Sequence, residues 1–365
     1  MTTTDTSTGE AGPANGAPGD PAADSARRRG PSMADVAREA GVSGQTVSRV
    51  STGRPNVDEA TRDRVLAAMR KLGYRPNSAA RALRSGRFRT LGVIMFTLSS
   101  YGNLRTLDAI AVTAAASGYS ITLLPVQHLT QGEVSVAFGR LSEQAVDGII
   151  IIIEAHMLDD ADITLPPGLP VVVVDSSARY QYPVVDTDQA QGARLATEHL
   201  LELGHATVWH VAGPPTSFSA GRRRESWEQT LAAHGREVPP VIVGDWSTDA
   251  GYRAGLELAT DPAVTAVFAA NDQMALGVLR ALHELGVEVP GDVSVVGFDD
   301  MAEASSFWPP LTTVHQHFDE VGRQSVSQLL DEIDGELPAA VNVRVPTELV
   351  VRASTGPARI RELRA

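Results

Sequence analysis

The sequence predicts an α/β protein: a small all-α headpiece followed by a bilobal core of two doubly wound parallel sheets. Three observations carry this. Residues 33–72 hold three short helical patterns separated by turn signals. From residue 90 onward, short apolar runs alternate with amphipathic helical stretches, the pattern of parallel strands covered on both faces. Charge divides the chain at the same place. Residues 32–90 carry 12 Arg or Lys against 5 Asp or Glu, whereas residues 91–365 carry 16 against 35, within a net charge of −13. A basic module on an acidic body is the arrangement expected when only one segment meets a polyanion.

Residues 1–30 are Thr, Gly, Pro, Ala, Ser and Asp with almost no large apolar side chain, and are read as a disordered leader. Ser32 with Asp35 three residues on has the form of a capping box opening a helix over 33–40, and Gly41 ends it. Ser43 can cap a second helix over 44–50. Asp58 and Glu59 begin a third that runs to Leu72, with Gly73 as its stop. Val36, Ala37, Ala40, Val42, Val47, Val50, Val65, Leu66, Met69 and Leu72 recur at helical spacing and form a candidate miniature core. After the break at 74–76, Asn77 can cap a fourth helix over 78–85, which at about eight residues needs a partner to form. Strands are expected at 91–96, 119–126, 148–153, 171–175, 207–212, 264–269 and 293–298. Gly118, Gly204 and Gly286 follow helices as stops. About 270 residues of this alternation exceed one comfortable sheet, so two facing subdomains with a cleft at their strand ends are expected.

Composition closes several function classes. There are no cysteines among the 365 residues, so disulfides, thiolate metal sites and cysteine nucleophiles are absent. No apolar run approaches the roughly 18 residues of a membrane helix, and no charged region followed by an apolar one opens the chain. A cytoplasmic protein with no membrane partner is expected. The sequence contains no Gly-x-Ser-x-Gly elbow, no P-loop and no Gly-x-Gly-x-x-Gly fingerprint. The nine histidines are scattered; His315 and His317 can share one side of a strand but lack a third ligand. The pairs Asp159–Asp160 and Asp299–Asp300 are sequence neighbours and do not suggest an acid/base couple. No catalytic residue, metal or cofactor is expected, and the chain is read as a non-enzyme.

Residues 35–50, Asp-Val-Ala-Arg-Glu-Ala-Gly-Val-Ser-Gly-Gln-Thr-Val-Ser-Arg-Val, resemble the helix-turn-helix headpiece of the lac repressor family. Residues 61–77, ending Leu-Gly-Tyr-Arg-Pro-Asn, resemble that family's third helix and its exit, and a thinner likeness continues through 91–352. The resemblance implies a periplasmic-binding-protein-like core and a homodimer that reads double-stranded operator DNA. It divides the chain into a headpiece over 31–76, a hinge helix and linker over 77–89, a core over 90–356 and a flexible tail over 357–365. Within the core, one lobe takes 90–187 and 316–345, the other 188–315 and 346–356. The second helix would enter the major groove, where Gln45 can pair with adenine and Arg49 with guanine. Ser43, Thr46 and Ser48 suit phosphates or secondary base contacts. Asn56, Tyr74 and Asn77 complete the implied contact set, and Leu83 with Ala80 one turn earlier would form a wedge in the minor groove. Gly44 departs from the family, which usually has a base-contacting side chain there.

In the core, the resemblance implies that Asp175, Ser219, Arg223, Asn271, Asp299 and Gln316 surround a small-molecule effector, with Trp246 and Phe318 as aromatic walls. Carboxylates accept from hydroxyls, Arg donates in a fixed fork, and Asn and Gln do both. The set suits a sugar, such as a β-galactoside or related glycoside. Two further readings follow from the same features: a purine-type, corepressor-dependent regulator, and a sugar-binding transport protein.

Overall fold

The computed structural model describes residues 30–53, 56–75, 86–96, 100–126, 131–152, 168–174, 182–335 and 342–359. Residues 1–29 of the expected leader, the fourth helix over 78–85, and Asn77, Ala80, Leu83 and Asp175 lie outside the described residues. The chain divides into two units, Met1–Ser85 and Gly86–Ala365.

In the first unit, local sequence dictates each helix boundary. Helix α1 (Met33–Ala40) starts where the Ser32 hydroxyl accepts the Asp35 N–H and the Asp35 carboxylate accepts the Ser32 N–H at 2.9 Å, a reciprocal capping box. It stops at Gly41, whose φ of 63° is open to glycine without a Cβ penalty. Ser43 Oγ accepts the Thr46 N–H at 3.1 Å to open α2 (Gly44–Ser51). Asp58 accepts the Thr61 N–H at 2.9 Å to open α3 (Glu59–Leu72). Val36, Val47 and Val65 are fully buried between the three helices, and Ala68, Met33, Val57 and Tyr74 join the core that periodicity outlined. Lys71, the chain's only lysine, donates from α3 to Glu39 on α1 at 2.6 Å.

The second unit contains two six-stranded sheets. The first is built from β1 (Thr90–Met95), β2 (Ser120–Pro125), β3 (Gly148–Ile152), β4 (Val171–Val174), β5 (Val184–Thr187) and β11 (Asn342–Val345). Its order is β11-β5-β4-β3-β1-β2, all parallel. The second is built from β6 (Trp209–Ala212), β7 (Ile242–Val243), β8 (Ala266–Ala269), β9 (Ser294–Asp299), β10 (Thr312–Gln316) and β12 (Thr347–Val350). Its order is β12-β10-β9-β8-β6-β7, parallel except that β12 runs antiparallel to β10. Helices α4 (Tyr101–Ala116), α5 (Gln131–Glu143) and α10 (Phe318–Ile333) belong with the first sheet. Helices α6 (Gln189–Glu202), α7 (Phe218–Ala233), α8 (Thr248–Leu258) and α9 (Asp272–Glu284) belong with the second. The seven strands expected from apolar runs are present within one or two residues of their expected ends. Five others, β5, β7, β10, β11 and β12, are short or interrupted by polar and charged residues such as Asp186, Thr312, Gln316, Arg344 and Glu348, so no continuous apolar run announces them.

The chain passes between sheets three times, at 187–189, 316–318 and 345–347. The crossings are tied together. The Asp188 N–H donates to the Val345 carbonyl at 2.8 Å, the Thr347 N–H to Gln191 Oε1 at 2.8 Å, and Gln189 Nε2 to Gln316 Oε1 at 3.2 Å. After β12 the chain runs back along β9 and β10: the Val295 N–H donates to the Ser354 carbonyl at 2.8 Å and the Thr312 N–H to Ser354 Oγ at 2.7 Å. Residues 357–359, expected within a flexible tail, are held instead. The Ala358 N–H donates to the Leu203 carbonyl at 2.9 Å, and Arg359 pairs with Asp292. A sequence of small and polar residues gave no sign of these backbone partners.

Glycines set the approach of α8 to α9. A Cβ on Gly251 would lie 2.0 Å from the Met274 carbonyl oxygen, and one on Gly277 would lie 2.1 Å from that of Thr248. Both obstacles are backbone, so the helices would have to separate. Gly251→Ala is therefore expected to destabilise the core by about 1–3 kcal/mol, read as a lowered urea midpoint. An unchanged midpoint would contradict this packing.

Candidate functional site

The parallel strands place their carboxyl ends around one cleft, where ligands bind in doubly wound sheets. Ile152 and Val174 end β3 and β4, Asp186 and Thr187 end β5, and Asp299 and Gln316 end β9 and β10. Ser219, Arg223, Trp246, Asn271 and Phe318 complete the expected set, and all line this cleft. Seven of the eight residues singled out in sequence thus meet, and the eighth, Asp175, lies outside the described residues.

The cleft is organised by Arg223, which is only 4% exposed. Its Nε donates to Gln189 Oε1 at 2.8 Å, its Nη1 to the Ala270 carbonyl, and its Nη2 lies 3.8 Å from Asp299 Oδ1. Gln316 Nε2 donates to the same Asp299 oxygen at 2.6 Å, and Gln189 Nε2 returns to Gln316 Oε1. Four side chains from α6, α7, β9 and β10 thereby close a buried ring. Two of them, Gln189 and Gln316, stand at the sheet crossings. The guanidinium also lies over the Phe298 ring, 3.7 Å from its centroid, and 5.6 Å from that of Trp246. A buried charge persists only with partners of this kind.

Other members are partly committed to the fold. Asn271 caps α9 by accepting the Met274 N–H at 2.9 Å, and donates to the Trp246 carbonyl at 3.1 Å. Gly213 makes room for the Trp246 indole, which a Cβ there would meet at 2.3 Å. Phe318 meets Tyr101 edge-on with centroids 6.1 Å apart. Trp246, Asp299 and Asp300 have φ of 73°, 113° and 51°. Such backbone is costly for L-residues, of order 1–3 kcal/mol each, and it concentrates at functional sites.

Sequence reasoning missed Tyr101, Asn103 and Thr106 on α4 and Gln189 on α6, which also line the cleft. Asn103 and Thr106 are buried polar residues three apart on α4, and the sequence shows their spacing but not their burial. Gln189 carried no signal, because its partners are 34 and 127 positions away.

Burial raises the Asp299 carboxyl to about 6, opposed by the Arg223 charge and the Gln316 hydrogen bond. Asp272, fully buried, is also raised well above its ordinary value by burial and by the Asp299 charge, opposed by hydrogen bonds from Thr313 and the Met301 N–H.

On the headpiece, α2 turns Val47 and Val50 inward and leaves Ser43, Gly44, Gln45 and Arg49 exposed. Thr46 and Ser48 are half-buried, and the Ser43 hydroxyl is shared between the Thr46 N–H and the Thr46 hydroxyl. Asn56 is exposed, while Tyr74 is half-buried against the headpiece core. A Cβ on Gly44 would meet nothing within 4 Å. The fold does not require glycine there.

A capped helix-turn-helix preceding two lobes around a polar cleft defines a ligand-responsive DNA-binding regulator. Residues 32–77 match the model for bacterial regulatory proteins of the lacI family, and residues 197–355 match the periplasmic binding protein-like domain. The lactose operon repressor of Escherichia coli (strain K12) is 35% identical over 88% of this chain and 89% of its own length. The HTH-type transcriptional regulator CelR of Thermobifida fusca is 35% identical over 90% and 99%. The HTH-type transcriptional repressor PurR of Haemophilus influenzae (strain PittEE) is 32% identical over 88% and 97%. Among solved structures, the lac repressor dimer bound to operator and the anti-inducer ONPF superposes with a TM-score of 0.79 at 34% identity, covering 90% of this chain and 100% of that one. The chain belongs to the lacI family of bacterial regulatory proteins, as a DNA-binding transcriptional regulator with a ligand-binding domain. No helix among the described residues is long and apolar enough to cross a membrane.

Between pH 4 and 6 the folded protein holds a proton on Asp299 that the unfolded chain, with an ordinary carboxyl near 3.8, has released. Its stability contribution is therefore complete below pH 4 and lost as pH rises through 6, on the order of 3 kcal/mol. Asp272 pulls in the same direction, so the comparison must isolate Asp299. Relative to wild type, Asp299→Asn is expected to gain stability by that amount between pH 4 and 7 in urea unfolding. A pH-independent difference would remove the claim.

Proposed function

We propose that this regulator is a homodimeric repressor that binds a near-palindromic operator and is released by a neutral sugar, a β-glycoside, held in the core cleft. The carrying observation is the convergence of Arg223, Asp299, Gln316, Asn271 and Trp246 in one cleft at the strand ends. Arg223 and Asp299 offset one another's charge within a ring of amides. What they present is a neutral, hydrogen-bonding surface beside an indole, suited to hydroxyls above and an apolar sugar face alongside. Relatives support the sugar class: one solved neighbour at 32% identity is a CelR–cellobiose complex, and another is the lac repressor bound to ONPG. The PurR relatives keep a purine-type corepressor as the rival reading.

On DNA, Gln45 and Arg49 read base edges from the exposed face of α2, Ser43, Thr46, Ser48, Asn56 and Tyr74 support the contact, and Asn77, Ala80 and Leu83 act at the hinge. The last three rest on sequence resemblance alone. The effector acts by binding one conformational state more tightly than the other, since equal affinity shifts nothing.

The test is titration of the protein onto its own promoter DNA across a salt series, with lactose, cellobiose, ONPG and hypoxanthine added in turn. Affinity is expected to fall steeply with salt through counterion release, and a glycoside to release the DNA. Arg49→Ala is expected to weaken specific binding by about 1–3 kcal/mol, and Leu83→Ala to weaken it with the fold intact. Tightening by hypoxanthine, with no response to any glycoside, would establish the purine reading instead.

A further inference from the structure

The segment after β12 reaches the cleft indirectly, through Arg352. Its Nη2 donates to Asp300 Oδ1 at 2.6 Å, and its Nη1 to the Leu311 carbonyl at 2.8 Å. The other Asp300 oxygen lies 2.9 Å from His315 Nδ1. The ion pair is largely buried, with side-chain exposures of 20% and 16%. Arg352 is absent from the cleft lining, which includes Asp299, the residue before Asp300.

The base of Arg352 is rigid. Its own N–H donates to Thr312 Oγ1 at 2.9 Å, and two residues later Ser354 bridges β9 and β10: its Oγ donates to the Val295 carbonyl at 2.6 Å and accepts the Thr312 N–H. What Arg352 grips is a turn that would otherwise relax. Asp299 and Asp300 are consecutive L-residues with φ of 113° and 51°, a conformation that survives only where its surroundings over-determine it. Asp272 secures one side by accepting the Met301 N–H at 2.8 Å and the Thr313 hydroxyl at 2.5 Å. Arg352 secures the other.

We propose that Arg352 is a positioning residue for the cleft: by clamping Asp300, it holds the left-handed turn that aims the Asp299 carboxylate at Arg223 and at a bound ligand. The ligand half of this rests on the sugar reading above, whereas the clamp itself does not. A two-pronged grip on a carboxylate and a carbonyl is within reach of a guanidinium fork and beyond a single ammonium.

The full-length protein and its Arg352→Met, Arg352→Lys, Asp300→Asn and Arg352→Met/Asp300→Asn variants would be compared without ligand by hydrogen exchange at residues 299–305, with 148–152 as the internal reference. Binding of cellobiose and ONPG would be measured by calorimetry. Arg352→Met and Asp300→Asn are each expected to speed exchange at the turn by about tenfold and to raise the dissociation constant of whichever probe wild type binds by about tenfold. Residues 148–152 should not change, Arg352→Lys should recover part of both effects, and the double variant should be no worse than either single one. Unchanged exchange at the turn overturns the clamp. Faster exchange with unchanged sugar affinity overturns the positioning role, as does full additivity in the double variant. If wild type binds neither sugar, the sugar reading fails by itself and the exchange result alone decides the clamp.

Discussion

The buried guanidinium of Arg223 is the constraint around which the core is arranged. A charge so far from water requires partners from every side. Gln189 and Ala270 accept from it, Asp299 balances it, and the Phe298 ring lies across its face. Because Gln189 and Gln316 sit where the chain passes between sheets, the network that neutralises the cation also joins the crossings. A molecule entering the cleft meets groups that are already oriented, so little ordering is left for binding to supply.

Of the five described non-glycine residues with positive φ, three lie in or next to the same cleft. Trp246, Asp299 and Asp300 all hold backbone that L-residues avoid, and each is flanked by a specific compensation. Gly213 leaves the indole its space, Asp272 ties down the Met301 N–H, and Arg352 pairs with Asp300. Asp272 and Asp299 are both buried carboxylates, and the Asp299 charge raises the cost of ionising Asp272. That arrangement weakens the fold at neutral pH, and it keeps an acceptor of adjustable protonation in the cleft wall.

The headpiece works by the opposite economy. Its core is small, and its boundaries are enforced by short-range hydrogen bonds from Ser32, Ser43 and Asp58 and by glycines at 41 and 73. Links between its distant helices include the shared apolar core and the Lys71–Glu39 contact. The exposed face of α2 is therefore free to carry whatever side chains recognition demands, and Gly44 shows that this freedom extends to leaving a position bare.

Caps, stops and apolar periodicity act over a few residues, which is why the three headpiece helices and seven strands could be placed from sequence. Family likeness did the same for Arg223, Asn271, Asp299 and Gln316, which lie far apart in the chain. What only the tertiary structure decided has a common physical cause. Gln189 in the ring, the five short or polar strands, and the anchoring of residues 357–359 all depend on partners dozens to hundreds of positions away. Their side chains obey no local period, and the cost of their burial is met by those distant groups, so the order of residues alone did not reveal them.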